Sequence, residues 1–331
     1  MSLTWELREY DREFFARELD SFVPNQVFDS HAHLYEVSHW NPVSPSLKAG
    51  PSVATLDEYR RQMERILPRR QMSGLFFGAG LSEQWYQVSN QFVVSEVSKD
   101  SQSRGQLIVS PRQDPERIRE EVRKHRIVGL KVYHTFSRHT PTWDSEVKEF
   151  LPETHVRIAD EEGLSITLHM VRARALADPL NQDQIRYYCQ TYPNIRMILA
   201  HAARGFNPNH TIEGIHALEG LHNVWCDSSA VTEAGGFEAI VETLGHSRLL
   251  WGSDFPISHR RGRCVAIGDQ FLWLYEDTLD WDTVAAYAKI QPLFIGHESL
   301  RALKLAAMRL HLSDSQVEDI FYNNGRQLFG L

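Results

Sequence analysis

Eight short apolar, β-branched runs recur along this chain, and longer segments of helical patterning lie between most of them. The runs cover residues 27–31, 74–78, 106–110, 128–133, 165–169, 196–201, 224–227 and 249–253. Helical patterns cover 56–67, 82–99, 115–125, 144–162, 182–191, 209–218 and 237–244. Strands alternating with helices predict parallel β/α units. Eight such units over about 230 residues match a (β/α)8 TIM barrel in count and length. The reading is one domain over 1–331, with a barrel core at about 26–280 and a C-terminal helical segment at 281–331. An amphipathic helix is predicted at 5–22, outside the barrel. The longest irregular stretch, 39–54, holds Pro42, Pro45, Gly50 and Pro51. It follows the first strand and is a candidate lid. A doubly wound open sheet would bring a glycine-rich phosphate loop after that strand, and none is present.

Composition narrows the function classes. The 331 residues are 42% hydrophobic and 24% charged, as in ordinary globular proteins. A net charge of −8 argues against binding nucleic acid through a basic surface. No apolar run is long enough to span a bilayer, and residues 6–20 lack the apolar core of a signal peptide. The three cysteines, Cys189, Cys226 and Cys264, are scattered, which suggests no disulfide framework and a reducing, cytoplasmic setting. The expected partner is a small molecule, with a homo-oligomer left open.

The first run leads into Asp29-Ser-His-Ala-His33. Strand side chains alternate between faces, so Asp29, His31 and His33 share one face. Two imidazoles so placed can hold a metal ion or can simply be hydrogen-bonded. The other runs also end in titratable groups. Strand four carries Lys131, strand five ends in His169, strand six in His201 and strand eight in Asp254. In a barrel these ends converge on one mouth. Each residue has an ordinary structural explanation, but five strand ends so furnished are hard to explain one at a time. A buried Lys or Asp is costly unless paired or metal-bound.

These residues carry a resemblance. Phe-Asp-Ser-His-Ala-His, Gly-Leu-Lys-Val-Tyr-His, Ile-Thr-Leu-His, Ile-Leu-Ala-His-Ala, Leu-Trp-Gly-Ser-Asp-Phe-Pro and a closing Tyr-Asn-Asn-Gly-Arg-Gln-Leu-Phe-Gly-Leu together resemble the amidohydrolase superfamily, and most its amidohydrolase-related branch. The resemblance covers nearly the whole chain. It implies a metal-dependent barrel with its site at the C-terminal mouth and a divalent metal, with zinc the first expectation. His31, His33, His169 and Asp254 fall on first-metal positions. His201 falls on a position that binds a second metal or handles protons. Lys131 matches a lysine that, carboxylated, bridges two metals in some members; in one-metal members it would bind substrate or be structural.

The implied chemistry is hydrolysis of an amide, ester or lactone bond by metal-activated water, with Asp254 as general base and then acid. Asp29 is a candidate to orient a ligand. Arg172, Arg174 and Arg204 follow strand ends and are candidates to clamp an anionic substrate, as are Arg260, Arg261 and Arg263. Trp40, Tyr133, His134 and His139 are expected at the same mouth. The alternative is a metal-dependent decarboxylase of an aromatic or unsaturated acid, which the motifs barely separate from a hydrolase. A serine hydrolase is disfavoured because no Gly-x-Ser-x-Gly appears.

Overall fold

A computed structural model describes residues 5–40, 42–125, 127–284 and 289–331. Eight strands form one sheet: β1 (Gln26–His33), β2 (Gln71–Phe77), β3 (Arg104–Ile108), β4 (Ile127–Tyr133), β5 (Ser165–His169), β6 (Arg196–Leu199), β7 (Val224–Asp227) and β8 (Leu249–Leu250). Each pairs in parallel with the next. The ring closes between β8 and β1. Ser30 N–H donates to Trp251 O and His33 N–H to Phe255 O, both at 2.9 Å, and Asp254 N–H donates to His31 O at 2.8 Å. Helices such as Leu56–Met63, Tyr86–Val97, Pro115–His125 and Pro179–Thr191 lie between successive strands. This is the predicted TIM barrel.

Local sequence explains the helix ends. Thr55 caps Leu56–Met63 by accepting from Glu58 N–H at 3.1 Å. Asp178 caps Pro179–Thr191 by accepting from Leu180 N–H at 3.0 Å, with proline in the first turn where no N–H is needed. The predicted helix over 144–162 is interrupted. Pro152 breaks it into Val147–Phe150 and Glu153–Glu161, because proline has no N–H and disfavours helix at the preceding residue. The 39–54 stretch is partly ordered: Pro45–Lys48 is a short helix, and Val53–Ala54 pairs antiparallel with Tyr35–Glu36. Residue 41 lies outside the described residues.

One feature of the C-terminal part departs from the sequence reading, and the tail is helical as expected. After β8 the chain forms an antiparallel hairpin, Gly262–Ile267 with Gln270–Tyr275. The helical tail contains Ile295–Arg309, Asp314–Glu318 and Asn324–Leu328, while its residues 285–288 lie outside the described residues. Leu328 and Phe329 of the tail join Phe28, Leu75, Ile198 and Leu250 in one apolar cluster. Arg196, the first residue of β6, donates to Leu328 O at 2.6 Å, so this cluster seals the end of the barrel away from the strand C-termini. Among the described residues no helix is long and apolar enough to cross a membrane.

The N-terminal helix Glu9–Phe14 continues as a π-helical turn, Phe15–Leu19, and is fastened to the loop after β8. Arg261 donates to both Asp11 oxygens, at 2.9 and 2.7 Å, and both side chains are buried. Arg261 therefore serves packing, not substrate. Arg260 lies over the Tyr275 ring and beside Asp277, and Arg263 donates to Thr232 O at 3.1 Å. Removing one partner of a buried pair strands the other charge. Asp11→Ala is expected to cost about 3–5 kcal/mol of stability in urea denaturation. A loss below about 1 kcal/mol, the range of exposed pairs, would show that this contact does not hold the N-terminal helix in place.

Candidate metal centre

The C-terminal strand ends bring His31, His33, His169, His201, Lys131 and Asp254 together. His31, His201 and Asp254 each offer a ligand atom, and those atoms all lie within 4.8 Å of one another. Asp254 Oδ1 is 3.6 Å from His31 Nε2 and 3.8 Å from His33 Nε2. The His169 and His201 rings meet edge to face with centroids 5.1 Å apart. Lys131 Nζ is fully enclosed, 3.3 Å from His31 Nε2 and over the faces of Phe77 and Tyr133. The Tyr133 hydroxyl stands 3.4 Å from His33 Nε2.

Three of the imidazoles are oriented by their Nδ1 atoms. His31 Nδ1–H donates to Asp227 Oδ2 at 2.8 Å, and His33 Nδ1–H to Gly78 O at 2.6 Å. His201 Nδ1–H faces Ser229 O at 3.0 Å and Ser229 Oγ at 2.9 Å. A proton fixed on Nδ1 leaves the Nε2 lone pair free, which is the form that ligates metal. Burial holds these rings neutral. It pushes His33 and His201 down to about 3, and His31 and His169 well below the usual histidine range. Burial also pushes Lys131 down, against the pull of Asp227 and Asp254, and pushes Asp254 up. His169 Nδ1 is buried and has no hydrogen-bond partner among the described residues. Neutral imidazoles, an orphaned ring nitrogen and a carboxylate gathered out of water fit a divalent cation.

His201 is placed differently from the sequence reading. β6 stops at Leu199, and His201 begins a turn in which His201, Ala202, Ala203 and Arg204 all have φ between 51° and 60°. His201 N–H donates to Asp227 Oδ1 at 2.9 Å, and Thr211 donates to Ala202 O at 2.7 Å. These bonds hold a left-handed conformation that non-glycine residues disfavour.

Asp29 orients the metal-site strand through its backbone. Its Oδ1 accepts from His31 N–H at 3.0 Å and Ser253 N–H at 2.9 Å, and its Oδ2 from the Tyr59 hydroxyl at 2.6 Å. Asp227 and Ser229 are the contributors that sequence reasoning missed. One aspartate closing Val-Trp-Cys-Asp gives no pattern, although its place at a strand end was a signal.

The arginines divide. Arg172 pairs with Asp178 at 2.8 Å and donates to Asp144 O at 2.8 Å. Arg174 pairs with Glu213 and with Asp269, the latter at 3.2 Å. Arg204 lies between the Trp143 and Phe271 rings, 5.4 and 5.5 Å from their centroids, and donates to Arg172 O at 2.8 Å. Its Nε has no hydrogen-bond partner among the described residues, and its charge is felt at His169 and His134. His134 lies against Trp143, the rings tilted by 38° with centroids 4.2 Å apart, and the Trp40 ring centroid lies 6.0 Å from that of His33. His139 instead lies near Glu149, at 3.7 Å.

Residues 28–331 match the family model described as Amidohydrolase. The chain belongs to the amidohydrolase family. An L-fucono-1,5-lactonase from Burkholderia ambifaria is 31% identical over 121 residues, which are 32% of this chain and 41% of that enzyme. An amidohydrolase from Burkholderia multivorans, solved with zinc bound, superposes with a TM-score of 0.58 at 14% identity, covering 92% of this chain and 99% of that one. The 5-carboxyvanillate decarboxylase of Sphingomonas paucimobilis gives a TM-score of 0.55 at 12% identity, covering 93% of this chain and 100% of that one. At such identities the two structures share the barrel with this amidohydrolase.

The Asp29 anchor is testable. Tyr59→Phe removes a buried donor from a buried carboxylate and is expected to cost about 1–3 kcal/mol in urea denaturation. Unchanged stability would mean that Asp29 does not depend on that hydroxyl.

Proposed function

We propose that this protein is a zinc-dependent hydrolase that opens an ester, lactone or amide bond in a small anionic substrate. The observation that carries the reading is the set of Nδ1-anchored, neutral imidazoles gathered around Asp254. The lactonase relative supports the bond class, and the zinc-bound barrel supports the ion. His31, His33, His169 and Asp254 would hold the cation, with His201 beside it. Among the described residues the ligand atoms form one cluster, so one ion is proposed and Lys131 stays unmodified beside it; a second ion would require a carboxylated Lys131. When bound, such an ion supplies Lewis acidity, acidifying water and polarising a carbonyl.

The remaining work falls to the chain. Asp254 accepts the proton of the attacking water and returns it to the leaving group, a role suited to a carboxyl whose proton affinity burial has raised. His201, held by Ser229, presents a neutral ring for proton transfer. Arg204 binds the substrate anion. Burial lowers its guanidinium to about 10, so it remains a cation at neutral pH, and no carboxylate neutralises it among the described residues. Arg172 and Arg174 already have protein carboxylates, so they rank behind it as substrate clamps.

Decarboxylation is the second reading, favoured by the similar barrel of a decarboxylase. Carbon dioxide release from aromatic acids, without hydrolysis of any lactone or ester, would select it.

Elemental analysis is expected to give one zinc per chain, and Asp254→Asn to lower turnover by about 10²–10⁴-fold while metal is retained. A metal-free enzyme indifferent to chelators would overturn the proposal. Arg204→Met is expected to raise KM about ten- to a hundredfold for a carboxylate-bearing lactone and to leave a neutral analogue unaffected, since a charge-assisted bond contributes about 1.5–3 kcal/mol. An equal rise for both substrates would remove the anion assignment.

A further inference from the structure

We infer that Asp227 is a positioning residue that selects the metal-binding tautomer of His31 and, through the same carboxylate, fixes the backbone that presents His201. The inference rests on the metal-dependent reading above. Asp227 is buried at the end of β7, on the strand between those that lead to His201 and Asp254.

A carboxylate is an acceptor only, with about four lone-pair directions over two oxygens. Asp227 meets four donors. Oδ1 accepts from His201 N–H at 2.9 Å, Ser229 N–H at 3.1 Å and the Ser229 hydroxyl. Oδ2 is left for His31 Nδ1–H at 2.8 Å. Because the carboxylate can only accept, the proton between them resides on His31 Nδ1, and Nε2 keeps its lone pair. The Ser229 hydroxyl, having given its hydrogen to Asp227, in turn accepts from His201 Nδ1–H. One side chain thus sets the protonation pattern of two rings in the cluster.

The division of donors makes the assignment testable with an isosteric change. In Asp227→Asn, the two backbone N–H groups of His201 and Ser229 cannot turn away, so they retain the amide oxygen. The amide NH2 then faces His31 Nδ1 and can only donate to it. His31 must move its proton to Nε2, which removes the lone pair that a metal needs. Asp29→Asn is the control. It also deletes a buried carboxylate beside His31, but Asp29 accepts from the His31 backbone and not from its ring. A purely structural effect of losing core charge would appear in both variants; a tautomer effect appears in one.

The experiment is 15N NMR of histidine-labelled, metal-free full-length protein, with zinc affinity measured by chelator competition. Wild type is expected to show His31 protonated at Nδ1. Asp227→Asn is expected to show it protonated at Nε2, with zinc affinity about ten- to a hundredfold weaker, the usual effect of losing a ligand's outer partner. Asp29→Asn is expected to keep the Nδ1–H form. Retention of Nδ1–H in Asp227→Asn overturns the inference, as does an Nε2–H tautomer in wild type. The wild-type measurement decides the matter if the variant does not fold. Wild-type protein that shows Nδ1–H yet binds no zinc would sink the metal reading while leaving the tautomer assignment intact.

Discussion

Burial of four imidazoles around one carboxylate forces every ring to be neutral, because a charged imidazolium there would forgo hydration with nothing equivalent in return. Neutrality alone is not enough, since a neutral ring has two tautomers and only one leaves the required nitrogen bare. The surrounding shell resolves that choice with acceptors at Nδ1: a carboxylate for His31, a backbone carbonyl for His33, and a carbonyl and hydroxyl of Ser229 for His201. His169 has no such acceptor among the described residues, so its Nδ1 remains a candidate ligand atom in its own right.

The balance of charge follows. Asp29, Asp227 and Asp254 are buried beside one lysine, Lys131. Burial drives Lys131 towards its neutral form and Asp254 towards its protonated form, while each pulls the other the opposite way. Carboxylates that outnumber ammonium groups out of water are expensive unless another cation joins them. A divalent ion at the mouth would relieve that excess and would stabilise the ionised form of Asp254, the state in which it can accept a proton.

What could be read from the sequence follows from how each residue is presented. His31, His33, His169 and Asp254 end short apolar strands or lie just past them, so periodicity alone leads to them. The eight strands were visible for the same reason, although β8 is only Leu249–Leu250 and its continuation depends on single backbone bonds to β1. Asp227 was not legible because its importance comes from β8 and β1 lying beside it, a tertiary relation. The 262–275 hairpin was missed because its first strand, Gly-Arg-Cys-Val-Ala-Ile, starts within the Arg-Arg-Gly-Arg run at 260–263, which reads as loop. Its Phe271 and Trp273 rings pack on Phe206, which stacks on His201, so the missed element forms a wall of the site. Arg260, Arg261 and Arg263 resembled a substrate clamp in sequence, yet they secure this hairpin and the N-terminal helix.

The turn at residues 201–204 shows why His201 looked like a strand residue. Ala-His-Ala-Ala-Arg contains no glycine to announce a left-handed backbone, and each such residue costs about 1–2 kcal/mol. The fold offsets that cost locally. Asp227 takes the His201 N–H, Thr211 donates to Ala202 O, Gly205 N–H closes on His201 O at 2.7 Å, and Ala202 and Ala203 are fully buried. Gly205 must itself be glycine, since a Cβ there would lie 2.4 Å from the Thr211 hydroxyl. A right-handed helix at this point would carry His201 and Arg204 away from Asp227 and Phe271. The strained turn puts His201 and Arg204 three residues apart along one tight coil, one at the cluster and the other where the substrate's charge is proposed to rest. Strain of this kind persists only where the surroundings over-determine it, and here one of the residues that do so, Asp227, also orients the His31 ring.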